Sequence, residues 1–90
     1  MVDISAQVAT GRAFAAARML AGFDQAELAE LAGFSGSTIS NVESGRDARE
    51  DTLKAIRKAL RRAGVTVTND KLNGLAVVAL RYDEPDGDED

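Results

Sequence analysis

Placing Ser37 at the origin of a helix and advancing about 100° per residue brings Ser37, Thr38, Ser40, Asn41 and Ser44 onto one polar arc. Ile39 and Val42 fall on the opposite side. Every side chain of the arc is short and hydrogen-bonding. Such a face suits the major groove of duplex DNA, where long aliphatic groups would clash with bases and acidic groups would repel phosphates. Asn41 is the strongest candidate for base reading, because its amide can pair bidentately with adenine. The hydroxyls of Ser37, Thr38 and Ser40 discriminate less, since each both donates and accepts. The competing reading is a solvated helix face. Gln25 opens the preceding helix, where its amide and the unsatisfied backbone N–H groups of the first turn can hold a phosphate, although Gln is also ordinary at a helix start.

Two charges stand out of place. Arg18 lies between Phe14 and Ala21 on the apolar side of a first helix, and Glu43 lies on the edge of the polar-arc helix that also carries Ile39. A partly buried charge is costly unless paired. A salt bridge between Arg18 and Glu43, tying the polar-arc helix to the first helix, is therefore expected.

The surrounding segments must position these groups. Ser5 or Thr10 is expected to cap a first helix running to about Leu20, with Gly22 ending it. Asp24 and Glu27 form a capping box that opens a second helix, with Leu28, Leu31 and Ala32 turned inward. Gly33 stops that helix, and Ser35 caps a third from Gly36 to about Ser44. Only about three residues join the second and third helices, which forces a sharp helix-turn-helix. A fourth helix is expected from Glu50 or Asp51 through Ala63, with Leu53, Ile56 and Leu60 as its buried stripe. Lys54, Arg57, Lys58, Arg61 and Arg62 share its other side. That arc reads as a solvated face, a phosphate-attracting surface or a dock for acidic chain.

Beyond Gly64 the period changes. Val65 to Thr68 alternates apolar and polar, Asn69 to Gly74 is rich in turn formers, and Leu75 to Leu80 reads as a returning strand that is apolar on both faces. A lone hairpin is marginal in water and needs cover. The helices would cover one face and a second subunit the other, with Val65, Val67, Leu75, Val77, Val78 and Leu80 as the dimerisation set.

Composition narrows the chemistry. The 90 residues contain neither cysteine nor histidine, so disulfides, thiolate metal sites and most general-base and zinc chemistry fall away. No metal, cofactor or enzymatic activity is expected. No long apolar run and no signal-peptide layout is present, so a cytoplasmic, nucleoid-associated protein without membrane contact is expected. The net charge of -4 opposes nucleic acid at first sight. Its location removes the objection: Asp83, Glu84, Asp86, Asp88, Glu89 and Asp90 crowd the last eight residues, leaving residues 1 to 82 with eleven bases against nine acids, a net +2. The last stretch reads as a disordered acidic tail.

The segment Gln25-Ala-Glu-Leu-Ala-Glu-Leu-Ala-Gly-Phe-Ser, followed by Ile39-Ser-Asn-Val-Glu-Ser-Gly, resembles the lambda-repressor-like helix-turn-helix of the Cro/C1 (XRE) family of bacterial and phage regulators. The likeness runs over about residues 12 to 64. It implies that Gln25 contacts a phosphate, that the start of the third helix (Ser35, Gly36, Ser37 and Thr38) and Asn41 contact bases, and that Ser44 to Arg46 meet the DNA backbone; Ser40 joins the DNA-binding set from the polar arc. It also implies an Arg18–Glu43 pair. Gly36 departs from the family, which often carries a base-reading side chain there. The link from Gly45 to Thr52 lacks the family's common proline and is about one residue short.

The expected architecture is mainly α, a lambda-repressor-like bundle of four to five helices with a short C-terminal strand pair. Its divisions are a helix-turn-helix domain over 1–64, a strand pair for dimerisation over 65–82 and the acidic tail over 83–90. The expected function is sequence-specific binding of a palindromic operator in double-stranded DNA by a homodimer. Repression by occupancy is the main outcome, with activation if the protein touches polymerase from an adjacent site. The alternative is an antitoxin or anti-activator acting through a protein partner such as a toxin, polymerase or another regulator.

Overall fold

The computed structural model describes residues 3–84. Four helices, α1 (Ala6–Ala21), α2 (Gln25–Ala32), α3 (Gly36–Glu43) and α4 (Glu50–Arg62), precede two strands, β1 (Val65–Asp70) and β2 (Leu75–Leu80). Local chemistry sets the helix ends. Ser5 caps α1 by accepting from the Val8 N–H at 3.1 Å. Thr10 lies inside that helix and donates its hydroxyl to the Ala6 carbonyl at 2.7 Å. Asp24 and Glu27 form a reciprocal box, each side chain accepting the other's backbone N–H, at 2.7 and 2.8 Å. Ser35 caps α3 through the Thr38 N–H at 3.3 Å. Gly22 and Gly33 both take φ of +83° past their helices, a conformation that favours glycine. Arg49 precedes α4 without a side-chain cap bond, while Glu50 and Asp51 in its first turn and Arg61 and Arg62 in its last complement the helix dipole.

The strands pair antiparallel with Val67 opposite Val78 and Asp70 opposite Leu75. The turn between them is tighter than the run of turn formers suggests. Asn69 and Asp70 belong to β1, and the Asp70 carboxylate closes the turn by accepting from the Asn73 backbone and side-chain amides at 3.2 and 2.8 Å. A bond from Asn69 Nδ2 to Thr10 Oγ1 at 2.9 Å ties the end of β1 to α1.

One core serves helices and strands together. Phe14 and Ala17 of α1, Leu28 and Ala29 of α2, Ile39 and Val42 of α3, Ile56 and Leu60 of α4, and Val65 and Val67 of β1 are all buried in it. Two expectations are corrected here. Leu31 is 55% exposed, and Ala29 takes the inward position. The small side chain lets α2 pack closely on α3 and α4. Val65 and Val67, expected at a subunit contact, lie inside the chain's own core at 0% and 3% exposure, and Val78 packs against that core half-buried. The alternation of β1 sends its valines inward and Thr66 and Thr68 outward. Of the residues expected at a subunit contact, Leu75, Val77 and Leu80 are left exposed. Asp83 and Glu84 are exposed and carry no regular structure, and the acidic stretch expected from 83 onward otherwise lies outside the described residues.

Candidate nucleic-acid interface

The polar-arc helix is held from behind and bare in front. Ile39 and Val42 anchor α3 in the core at 1% and 2% exposure. Its opposite face presents Gly36, Ser37, Ser40 and Ser44 to solvent, with Thr38 and Asn41 half-exposed beside them. Ser35 Oγ lies 3.0 Å from Ser37 Oγ and 3.2 Å from Thr38 Oγ1, so these hydroxyls are locally oriented. Nothing lies within 4 Å of a Cβ built on Gly36, so close approach of a ligand backbone or base is unobstructed there.

The C-terminal end of α3 is closed by chain folding back on it. The Asn41 carbonyl accepts from the N–H groups of Arg46 and Asp47 at 2.8 and 3.1 Å and from Ser44 Oγ at 3.1 Å. Arg46 is exposed just beyond. The Gln7 side-chain amide donates to the Gly45 carbonyl, fastening this corner to the start of α1. Asp47 is bound by Arg49 through a 3.0 Å ion pair and by the Arg49 N–H at 3.1 Å. These bonds from Arg49 hold the Asp47 carboxyl below its ordinary pKa. The link without a proline is thus stiffened by an aspartate turn.

Glu43 is the hub that sets α3 against the other helices. Its Oε2 accepts from Arg18 Nε at 2.7 Å and its Oε1 from Arg18 Nη2 at 3.2 Å. The remaining Arg18 nitrogen, Nη1, donates to the Phe23 carbonyl at 3.0 Å. The pair is largely shielded, with the two side chains 17% and 9% exposed. The hydrogen bonds that Arg18 donates to Glu43 raise the Arg18 pKa above arginine's ordinary value, against the opposing effect of burial. Glu43 Oε1 also accepts from Gln25 Nε2 at 3.0 Å. The structure therefore brings Gln25, Arg18 and Glu43 together at the junction of α1, α2 and α3. Gln25 keeps one amide hydrogen and its oxygen for a ligand. No spacing in the sequence reveals the Gln25–Glu43 bond, because it joins two helices whose facing sides are set only by packing.

Two further residues escaped the sequence reading. Gly11, buried in the middle of α1, lets the two helices touch: a Cβ there would stand 2.6 Å from the Val42 carbonyl oxygen and 2.8 Å from that of Glu43. The available signal was a glycine inside an alanine-rich helix, where it costs about 1 kcal/mol relative to alanine. Arg57 leaves the cationic arc of α4 for a structural position, 5.4 Å from the Phe14 ring centroid and donating to the Val67 carbonyl at 3.2 Å. The expected subunit-contact residues Leu75, Val77 and Leu80 are 53%, 42% and 46% exposed on the hairpin, remote in sequence from α3.

Among the described residues no three Asp or Glu side chains converge as metal ligands would. None of the helices there is long and apolar enough to cross a membrane. A family model described as helix-turn-helix matches residues 14–65. No curated protein and no solved structure matches the chain.

Proposed function

The chain belongs to the Cro/C1-type (XRE) helix-turn-helix family, whose members are typically DNA-binding regulators of transcription, and from that premise we propose that it binds a palindromic operator as a homodimer and represses by occupancy. One observation carries this reading: α3 is fixed through Ile39, Val42 and Glu43, while its outward face consists of short hydrogen-bonding side chains. A rigid helix with such a face can enter a major groove without rearrangement. Asn41 reads a base, Ser37, Thr38 and Ser40 add hydroxyl contacts, and Gly36 and Ser35 allow close approach. Gln25, Ser44 and Arg46 hold phosphates on either side, positioning the helix without choosing the sequence.

A second copy supplies affinity that one small module lacks, and twofold symmetry sets two α3 helices about one DNA turn apart. Leu75 and Val77, which share the outward face of β2, are the centre of the surface proposed for that contact, with Leu80 exposed at the strand's end beside it, residues 1–64 as the reading unit and 65–82 as the pairing unit. A DNA ligand places the protein in the cytoplasm with the nucleoid. The exposed apolar residues of β2 also favour a second reading, an antitoxin or anti-activator in which the same surface holds a protein partner.

Selection from random duplexes at two salt concentrations, with wild type and Asn41→Ala compared, tests the first reading. Enrichment of a palindrome that Asn41→Ala weakens or relaxes supports it. No enrichment by wild type even at low salt overturns it and leaves the protein-partner reading.

A further inference from the structure

The exposed face of α4 is the densest block of positive charge in the fold. Lys54, Lys58, Arg61 and Arg62 are all exposed, and neither ion pair formed among the described residues includes any of them. Lys54 and Lys58, and Lys58 and Arg62, stand one helical turn apart, a spacing at which like charges repel. Arg57, by contrast, is already engaged with Phe14 and Val67. The four remaining cations form a surface whose nearest carboxylates, Glu50 and Asp51 in the first turn of α4, make no ion pair with it and leave an excess of positive charge toward the C-terminal end.

The fold brings that counter-charge to one end of the surface. The Arg81 N–H donates to the Gly64 carbonyl at 2.8 Å, so the chain leaves β2 two residues from Arg62, the last residue of α4. Directly after Arg81 and Tyr82 come six acids in eight residues, Asp83, Glu84, Asp86, Asp88, Glu89 and Asp90. Eight extended residues reach about 26 Å, and a 13-residue helix such as α4 is about 20 Å long. The acidic segment can therefore run along α4 from its C-terminal end as far as Lys54.

We infer that the cationic face of α4 is a docking surface for the chain's own acidic segment 83–90. The contact is electrostatic and sequence-tolerant, made of carboxylates laid against Lys54, Lys58, Arg61 and Arg62. Duplex DNA fits this face less well, because α4 packs chiefly on α1, α2 and β1, whereas the outward polar arc belongs to α3. A docked segment takes the largest unpaired positive surface out of competition for polyanions and leaves non-sequence-specific attraction to the edges of α3.

The chain has no cysteine, so Asp88→Cys in the full-length protein accepts a single spin label. Amide signals of Lys54 and Lys58, about 12 and 6 Å along α4 from Arg62, are expected to lose intensity at low salt. The loss disappears at about 1 M salt, where the screening length is about 3 Å. It also disappears when Lys54, Lys58, Arg61 and Arg62 are all changed to Gln. Broadening confined to the neighbours of Gly64 and Arg81, broadening of α3 instead, or losses unmoved by salt overturn the inference. So does broadening that appears when a spin-labelled chain without nitrogen-15 is mixed with an unlabelled nitrogen-15 chain, since the occupant is then a second copy.

Discussion

Arg18 and Glu43 meet across 25 residues of sequence in a two-pronged ion pair, Nε to Oε2 at 2.7 Å and Nη2 to Oε1 at 3.2 Å. The pair joins α1 to the end of α3 in a largely shielded place. Removing one partner strands the other, so Arg18→Ala is expected to cost about 2–3 kcal/mol. For a domain of this size that lowers Tm by roughly 10–20 °C. The Arg18→Ala/Glu43→Ala double variant is expected to lose less than the sum of the singles, because the interaction is shared. Thermal denaturation of the three variants checks both points, and additivity would deny the coupling.

Gly11→Ala is expected to be destabilising by about 3 kcal/mol, at the upper end for overpacking. The added methyl would sit 2.6 Å from the Val42 carbonyl oxygen, and that neighbour is backbone, which cannot rotate away. The same change displaces α3, so residual DNA binding should fall further than the folded fraction does. Denaturation curves and duplex titration of one preparation separate the two effects.

Asn41→Ala should leave the fold intact, since the Asn41 side chain makes no hydrogen bond to another described residue and its backbone carbonyl is untouched. Operator affinity is expected to fall by about 1–3 kcal/mol, with discrimination relaxed at one base position. Competition binding against single-base operator variants measures this. A uniform loss across all variants would assign Asn41 to phosphate contact.

The hairpin provides a paired contrast. Val77→Lys puts charge on the exposed side of β2 and is expected to shift a dimer toward monomer with the helical signal retained. Val65→Ala empties a site at 0% exposure and is expected to cost about 2 kcal/mol without a direct effect on association. Sedimentation and circular dichroism together distinguish the two. Unchanged association of Val77→Lys would move the subunit contact elsewhere.

Two carboxyls contribute to the acid side of the stability profile. Hydrogen bonds from Arg49 lower the Asp47 pKa, and those from the Asn73 side chain and backbone lower that of Asp70. A depressed folded pKa contributes stability that is fully present above the unfolded value and lost as pH falls through the folded one. Both contributions should thus survive at neutral pH and fade only below the ordinary carboxylate range. Carboxyl carbon shifts against pH check the titrations, and Asp70→Asn should remove part of the acid-induced loss.

The helix-turn-helix was legible in the sequence because its punctuation is local: Asp24 with Glu27, Gly33, and Ser35 each act within one turn of themselves. The outward arc of α3 followed from periodicity. Leu31 was misplaced because α2 has only eight residues, and its Ala and Leu positions fit two rotations equally until α3 and α4 choose one. β1 runs two residues further than its alternation suggests, held by the Asn69–Thr10 bond from a distant helix. Val65 and Val67 look the same in sequence whether they face a partner or their own core. Gly11 and the Gln25–Glu43 bond matter only once two helices are side by side, which is why spacing could not expose them.

The division of labour within α3 has a consequence for how such a protein diversifies. The residues that hold the helix, Ile39, Val42 and Glu43, are disjoint from those on its outward face, and Gly36 opens onto empty space. Substitutions at positions 36, 37, 40 and 41 can therefore accumulate with little cost to folding. Duplicated copies can drift apart in the words they recognise while sharing one body, and a library confined to those four positions is a practical route to mutually orthogonal regulators.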